Sequence, residues 1–458
     1  MLIRFSFENF LSFRGPTELS LVKGRPQKLN HHVIRSTGPK GFHLLKIAAL
    51  YGANASGKSN LVKAIATARK IILEPSSAKD RLPLEPFRLD TGSRQQPTKF
   101  EFEIKVGNKN FAYGFQATQT EITEEWLYEL DRKKDVCVYE RNITPEGPEF
   151  KFPGIRFARK EEEQFLRFTA KGTPRNRLFL QECRERNVRE NVRNVDPIFQ
   201  TLDWFENRLR VIFPDTKYAG LEFRIHEDED FGVELAKFLS SFDTGIEKIE
   251  LEEVDFDKEL NEVPNEVKES IQNDVDEGTV VVVATPGNIR YHISMAKAGN
   301  LKASRLVAKR KLTDCDERAS FSMSQESDGT LRLLDLIPGL MSLLSEERVL
   351  VIDELDRSFH PELTLSYLKS FVDFSRGRES QLIFTTHETD IMSQEFLRRD
   401  EIWLVEKGRD HCSKVVALEE YKLRHDRDVR KDYLKGRFGG LPIMKDLSWL
   451  NPADAQTT

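Results

Sequence analysis

The mostly apolar run Leu44–Leu50 leads through Tyr51 straight into Gly52-Ala53-Asn54-Ala55-Ser56-Gly57-Lys58-Ser59. From Asn60 the pattern LVKAIATARKII places its apolar residues at helical spacing. A buried strand, a glycine-rich loop and a helix in that order constrain this chain more than any other feature, and put it in the α/β class. The glycines let the backbone wrap tightly, so that its N–H groups and the helix N-terminus can meet phosphate oxygens. All eight residues match the Walker A pattern, in which Lys58 reaches the β- and γ-phosphates of ATP and Ser59 holds Mg2+. Gly52, Ala53, Asn54, Ala55, Ser56, Gly57, Lys58 and Ser59 are therefore the candidate nucleotide-binding set.

A second strand pattern, Arg348-Val349-Leu350-Val351-Ile352, ends in two carboxylates, Asp353 and Glu354. Asp353 at a strand tip can hold Mg2+ through its water shell, and Glu354 can polarise a water against the γ-phosphate. About twenty residues earlier, Ser324-Gln325-Glu326-Ser327-Asp328-Gly329-Thr330 opens an apolar helix. By itself that stretch is a plain helix cap. Its position before the Walker B strand is where ABC ATPases carry their signature motif, which makes Ser327 and Gly329 candidate nucleotide-binding residues as well. Leu355-Asp356 stands where a D-loop belongs. His387 ends the strand LIFTTH, where a switch histidine contacts the γ-phosphate, so Glu354 and His387 are the candidate catalytic pair.

Walker A near the N-terminus, a wide interruption, and then signature, Walker B and His387 in the last third resemble the RecF/SMC-like branch of ABC ATPases. Within it the chain is most similar to OLD-type ATPases and their single-chain relatives in two-gene anti-phage systems. The phrases IRFSFENFLSF, LPLEPFRLD, DTGIEKIE and DYLKGRFGGLP carry that likeness nearly to Pro442. The resemblance implies an α/β ABC ATPase head, with a mixed sheet core, an antiparallel β subdomain and a mainly helical insertion. It implies ATP and Mg2+ as ligands, and a homodimer or larger homo-oligomer, because the signature completes the site of a second copy. It also implies a separately encoded effector, such as a nuclease. The signature reads ESDGT rather than the LSGGQ of transporters, so transporter-like turnover is not implied. No glutamine marks a Q-loop; the segment around Pro86-Phe87 is the substitute. OLD proteins carry a C-terminal Toprim nuclease, and the roughly seventy residues after His387 are too few for such a domain.

The chain divides on this reading into four segments: an N-terminal ATPase lobe, 1–172, with an antiparallel meander; a mainly helical insertion, 173–278; a C-terminal ATPase lobe, 279–420; and a basic tail, 421–458. The insertion lacks long heptads, which argues against a coiled-coil arm. A RecF/SMC-like DNA-repair ATPase is the alternative of the same fold. A transporter subunit and a non-hydrolysing, ATP-gated structural protein are the other readings.

Charge adds two candidate partner surfaces. The net charge of −5 hides an acidic segment, Glu247–Glu277, with thirteen acids against three lysines. The basic run Lys422–Arg437 has seven Lys/Arg against three Asp, and is expected to meet an acidic surface of an effector or neighbouring subunit, with nucleic acid the rival ligand. No apolar stretch reaches the roughly 18 residues of a membrane span, and Arg4 and Glu8 interrupt the opening apolar run unlike a secretory leader. Cys137, Cys183, Cys315 and Cys412 are too scattered for zinc or a disulfide framework. Together these imply a cytoplasmic protein with no membrane partner and buried spectator thiols.

Overall fold

The structure, a computed structural model, describes residues 1–35, 43–77, 79–131, 133–144, 146–218, 220–255, 268, 280–285, 289–295, 301–421 and 427–438. It divides into two compact units. The first comprises Met1–Pro214, Glu346–Asp356 and Ser375–Thr458; the second comprises Asp215–Ser345 and Arg357–Phe374.

Among the described residues the first unit holds two large sheets and a small pairing of Val33–Ile34 with Leu44–Leu45. Its mixed sheet has six strands in the order Leu209–Ile212, Val349–Ile352, Gln381–Thr385, Ile47–Tyr51, Ile402–Lys407 and Ser413–Ala417. The first five run parallel and the last is antiparallel. Strands covered on both faces read as continuous apolar runs, and the strands Ile47–Tyr51 and Val349–Ile352 are buried throughout. The second sheet is a seven-stranded antiparallel meander built on Leu2–Glu8, Thr98–Val106, Lys109–Ala117 and Ile122–Leu130. Here one face is inward, so Phe100, Phe102 and Ile104 alternate with half-buried polar residues. Aromatic rings fill the core beneath it: Phe102 lies 5.0 Å from Phe205, which in turn stands edge-on to Trp204 at 5.0 Å.

A buried carboxylate ties this meander to the helix Phe179–Glu185. Glu125 accepts from the backbone N–H of Phe179 at 2.7 Å, from Leu180 at 3.1 Å and from the Tyr139 hydroxyl at 2.7 Å. Arg141, fully buried, lies 3.9 Å away. Burial pushes the Glu125 carboxyl above its usual range, and Arg141 opposes that shift.

The second unit combines the helices Leu221–Glu227, Glu229–Ser241, Asp328–Ser342 and Pro361–Phe374 with an antiparallel sheet. Strand order there is Lys248–Val254, Leu301–Lys311, Ile289–Met295, Val280–Thr285, and Arg318–Ser322 pairs with the far end of Leu301–Lys311.

Several boundaries differ from those read off the sequence. The apolar stripe Pro197–Phe213 is helical only to Arg208; Leu209–Ile212 is a strand beside Val349–Ile352. A four-residue apolar segment does not reveal its period, and an open sheet edge decided it. Among its described residues the span 173–278 thus carries the strands Leu209–Ile212 and Lys248–Val254 beside its helices. Residues 173–214 pack with the N-terminal lobe, whereas 279–345 belong to the second unit, because the strands after residue 279 pair with Lys248–Val254 through Leu301–Lys311. Most of the acidic segment, like Lys422–Asp426 of the basic run, lies outside the described residues.

The rest of the basic run meets acids of its own chain. Arg430 pairs with Asp390, and Arg427 and Arg437 both reach Asp432. The short helix Val429–Leu434 buries Val429 and Tyr433, whose ring lies 6.2 Å from that of Tyr51. These arginines therefore have partners without a second protein. All four cysteines are unpaired; Cys183 and Cys412 are buried as expected, but Cys315 is exposed. Among the described residues no helix is long and apolar enough to cross a membrane.

Gly114 allows the meander its close packing. A Cβ there would lie 2.4 Å from Trp126 and 2.8 Å from the Phe100 carbonyl. Gly114→Ala is therefore expected to cost about 1–3 kcal/mol, the usual penalty of overpacking. Denaturant unfolding measures this, and unchanged stability would show that Trp126 swings aside freely.

Candidate functional site

Three neighbouring parallel strands set the site. Ile352 aligns with Phe384, and Phe384 with Ala49, so the strands end at a common edge. Each strand runs out into a piece of the candidate site: the loop from Gly52, the pair Asp353-Glu354, and the turn to His387.

The loop is shaped by conformation and by serine hydroxyls. Ala55 and Gly57 have φ of 59° and 116°, and a Cβ on Gly57 would fall 2.4 Å from the Ser413 hydroxyl. That hydroxyl donates to the Ser56 carbonyl at 2.6 Å and lies 2.7 Å from the Ser12 hydroxyl. Asn60, in the first turn of the helix Lys58–Leu73, donates to the same Ser12 oxygen at 2.9 Å. Ser12, Asn60 and Ser413 thus brace the loop. Only Asn60 adjoins the motif, so the other two carry no sequence signal.

Lys58 is buried and donates to the carbonyls of Gly52 at 2.8 Å and Ala53 at 3.1 Å. Burial lowers its pKa to about 8, opposed by Asp353, Asp356 and Glu354. Facing it, Asp353 Oδ1 accepts from the Ser59 hydroxyl at 3.2 Å and the Thr385 hydroxyl at 2.7 Å. A hydroxyl and a carboxylate side by side are hard oxygen donors, the set that suits Mg2+. Glu354 adopts a left-handed φ of 48°, and its N–H donates to Thr385 Oγ1 at 2.7 Å. Asp356 Oδ2 accepts from the His387 N–H at 3.0 Å. Burial holds the His387 imidazole below its usual range, Lys58 adds to this, and Asp356, Glu354 and Asp353 oppose it.

The structure therefore gathers residues 52–59, Asp353, Glu354 and His387 in the first unit, and places Ser327 and Gly329 in the second. Ser327 caps the helix Asp328–Ser342 by accepting from the Thr330 N–H at 3.2 Å. Gly329 has a local reason to lack a side chain: a Cβ would lie 2.9 Å from the Ser358 carbonyl. Glu326, just before the cap, is gripped by the two terminal guanidinium nitrogens of Arg310 at 2.6 and 2.7 Å. The segment offered in place of a Q-loop is pinned to the turn after the first strand, with the Phe87 N–H on Asn9 at 3.0 Å.

A family model described as "AAA domain, putative AbiEii toxin, Type IV TA system" matches residues 47–393, which span every one of these candidate residues. The chain belongs to this AAA-domain family. No curated protein matches it. Solved structures similar to this AAA-domain protein include the SMC head domain from Thermotoga maritima, at 14% identity over 91% of this chain and 98% of that one, with a TM-score of 0.36. Another is an SmcHead bound to the C-winged helix domain of ScpA, at 14% identity, 92% and 99% coverage, and a TM-score of 0.38. A third, an Smc head domain with an extended coiled coil bound to the C-terminal domain of ScpA, derived from Pyrococcus furiosus, has 13% identity, 92% and 97% coverage, and a TM-score of 0.34.

In this AAA-domain protein Lys58 donates to two carbonyls of the loop and feels three nearby acids. Lys58→Ala is expected to abolish ATP binding or weaken it severely, while the fold is kept. A direct binding assay decides: wild-type affinity in the variant would remove the Walker A assignment.

Proposed function

We propose that this protein binds ATP with Mg2+ and hydrolyses it, and that two copies share each site. The observation that carries the proposal is the meeting of the Gly52–Ser59 loop, the Ser59–Asp353 pair, Glu354 and His387 at one sheet edge. Loop N–H groups and the Lys58 ammonium would take the β- and γ-phosphates. Ser59 and Asp353 would hold Mg2+, which when bound neutralises phosphate charge. Glu354 would polarise the attacking water, and His387 would hydrogen-bond the γ-phosphate.

Ser327 and Gly329 would close the site from another copy. Their helix start supports this, because Ser327 and Asp328 are exposed and first-turn N–H groups suit an anion. The setting proposed is a cytoplasmic sensor or scaffold subunit of an anti-phage complex that controls a separately encoded effector, such as a nuclease. The family's description, a toxin of a TA system, supports a paired-gene arrangement.

Two experiments test the proposal. Glu354→Gln should leave ATP binding intact and slow turnover by about 10²–10⁴-fold, the usual worth of general-base help; unchanged turnover would move that role elsewhere, with His387 next. Mixing inactive Lys58→Ala chains with inactive Ser327→Arg chains should restore part of the ATPase activity, since one site of the mixed dimer carries neither lesion. Ser327→Arg alone should block ATP-driven dimerisation and spare ATP binding by the monomer. Should it change neither hydrolysis nor association, Ser327 is an ordinary helix cap.

A further inference from the structure

Thr385 is the last residue of the strand Gln381–Thr385 and is fully buried. The usual reading of such a residue is a β-branched strand end whose hydroxyl is satisfied nearby. Its bonds go instead to three successive residues of the neighbouring strand end. Its hydroxyl donates to Asp353 Oδ1 at 2.7 Å and accepts the Glu354 N–H at 2.7 Å, and its carbonyl accepts the Leu355 N–H at 3.0 Å. Between these bonds Glu354 holds its left-handed φ of 48°, a conformation that non-glycine residues rarely adopt and that surroundings must enforce.

One hydroxyl therefore does two things. It turns the Asp353 carboxylate so that the same Oδ1 also meets the Ser59 hydroxyl, and it anchors the backbone turn from which the Glu354 side chain leaves. We propose that Thr385 is a positioning residue for hydrolysis, acting through the metal-holding Asp353 and the water-polarising Glu354; this rests on the function proposed above. A methyl in place of the hydroxyl takes this partner from the Glu354 N–H and removes a donor from the buried Asp353 carboxylate, so both groups lose the bond that fixes their position.

The test compares Thr385→Val, the isosteric variant without a hydroxyl, with Thr385→Ser, which keeps it; Glu354→Gln serves as the control. Binding of a fluorescent ATP analogue is titrated with and without Mg2+, and kcat and KM are measured separately. Thr385→Val is expected to lower kcat roughly tenfold or more and to raise the Mg2+ concentration for half-maximal tight binding by about fivefold, with KM and Mg2+-free binding within about twofold, since misplaced catalytic groups cost rate before affinity. Thr385→Ser should bring kcat and the Mg2+ response back to near wild type. A wild-type kcat and Mg2+ response in Thr385→Val, or equal damage in Thr385→Ser, overturns the proposal. If Thr385→Val does not fold, Thr385→Ala carries the same expectations. If Glu354→Gln hydrolyses ATP like wild type, the hydrolytic reading of Glu354 has failed, and the Mg2+ dependence of binding alone then decides for or against Thr385.

Discussion

The level ending of three parallel strands is the constraint on which the rest of the site depends. Backbone hydrogen bonds set Ile47–Tyr51, Gln381–Thr385 and Val349–Ile352 in register, so the residues that leave them emerge within hydrogen-bonding reach. Four bonds then cross between the last two exits: Thr385 to Asp353, Glu354 and Leu355, and the His387 N–H to Asp356. A shift of one residue in this register would turn each side chain to the opposite face. The candidate catalytic geometry is in this sense a property of sheet pairing, and the side chains inherit it.

Charge gives the same place its chemical character. Lys58 stands among Asp353, Glu354 and Asp356, each of which acts on its pKa. One cation against three carboxylates is a poor host for a bare nucleotide. On the function proposed above, the anion is accommodated by oriented N–H groups of the loop and by a divalent cation on Ser59 and Asp353, both of which act strongly where water is scarce. The serine braces matter for the first of these: Ser12 and Ser413 hold the loop from outside, and Gly57 has no room for a side chain because of them.

The second unit has its own internal logic. Arg310 lies on the strand Leu301–Lys311, grips Glu326 through two bonds and also donates to the Thr244 carbonyl at 3.2 Å. The start of the helix Asp328–Ser342 is thereby fastened to the antiparallel sheet, whose strand Lys248–Val254 opens the acidic segment. Charged partners on that sheet are matched across strands, as with Lys302 and Glu253 at 3.0 Å and Arg305 and Glu252 at 3.3 Å. Much of the segment's charge is structural where it is described.

The sequence by itself determined the strand–loop–helix unit, the carboxylates after Val349–Ile352 and the place of His387, because each is a local pattern in which residue type and spacing carry the chemistry. It also determined the meander, whose alternation of Phe100, Phe102 and Ile104 is a period-two signal. Tertiary structure decided what local pattern cannot contain. Leu209–Ile212 became a strand because a sheet edge beside Val349–Ile352 was open to it. Arg430 of the basic run found Asp390, an acid outside the run that no spacing rule connects to it. Thr385 and Ser413 gained their roles from contacts 32 and 357 residues away along the chain. Hydrogen bonds between residues so distant in sequence exist only once the chain has folded, and the parts of this site that depend on them were therefore invisible until it had.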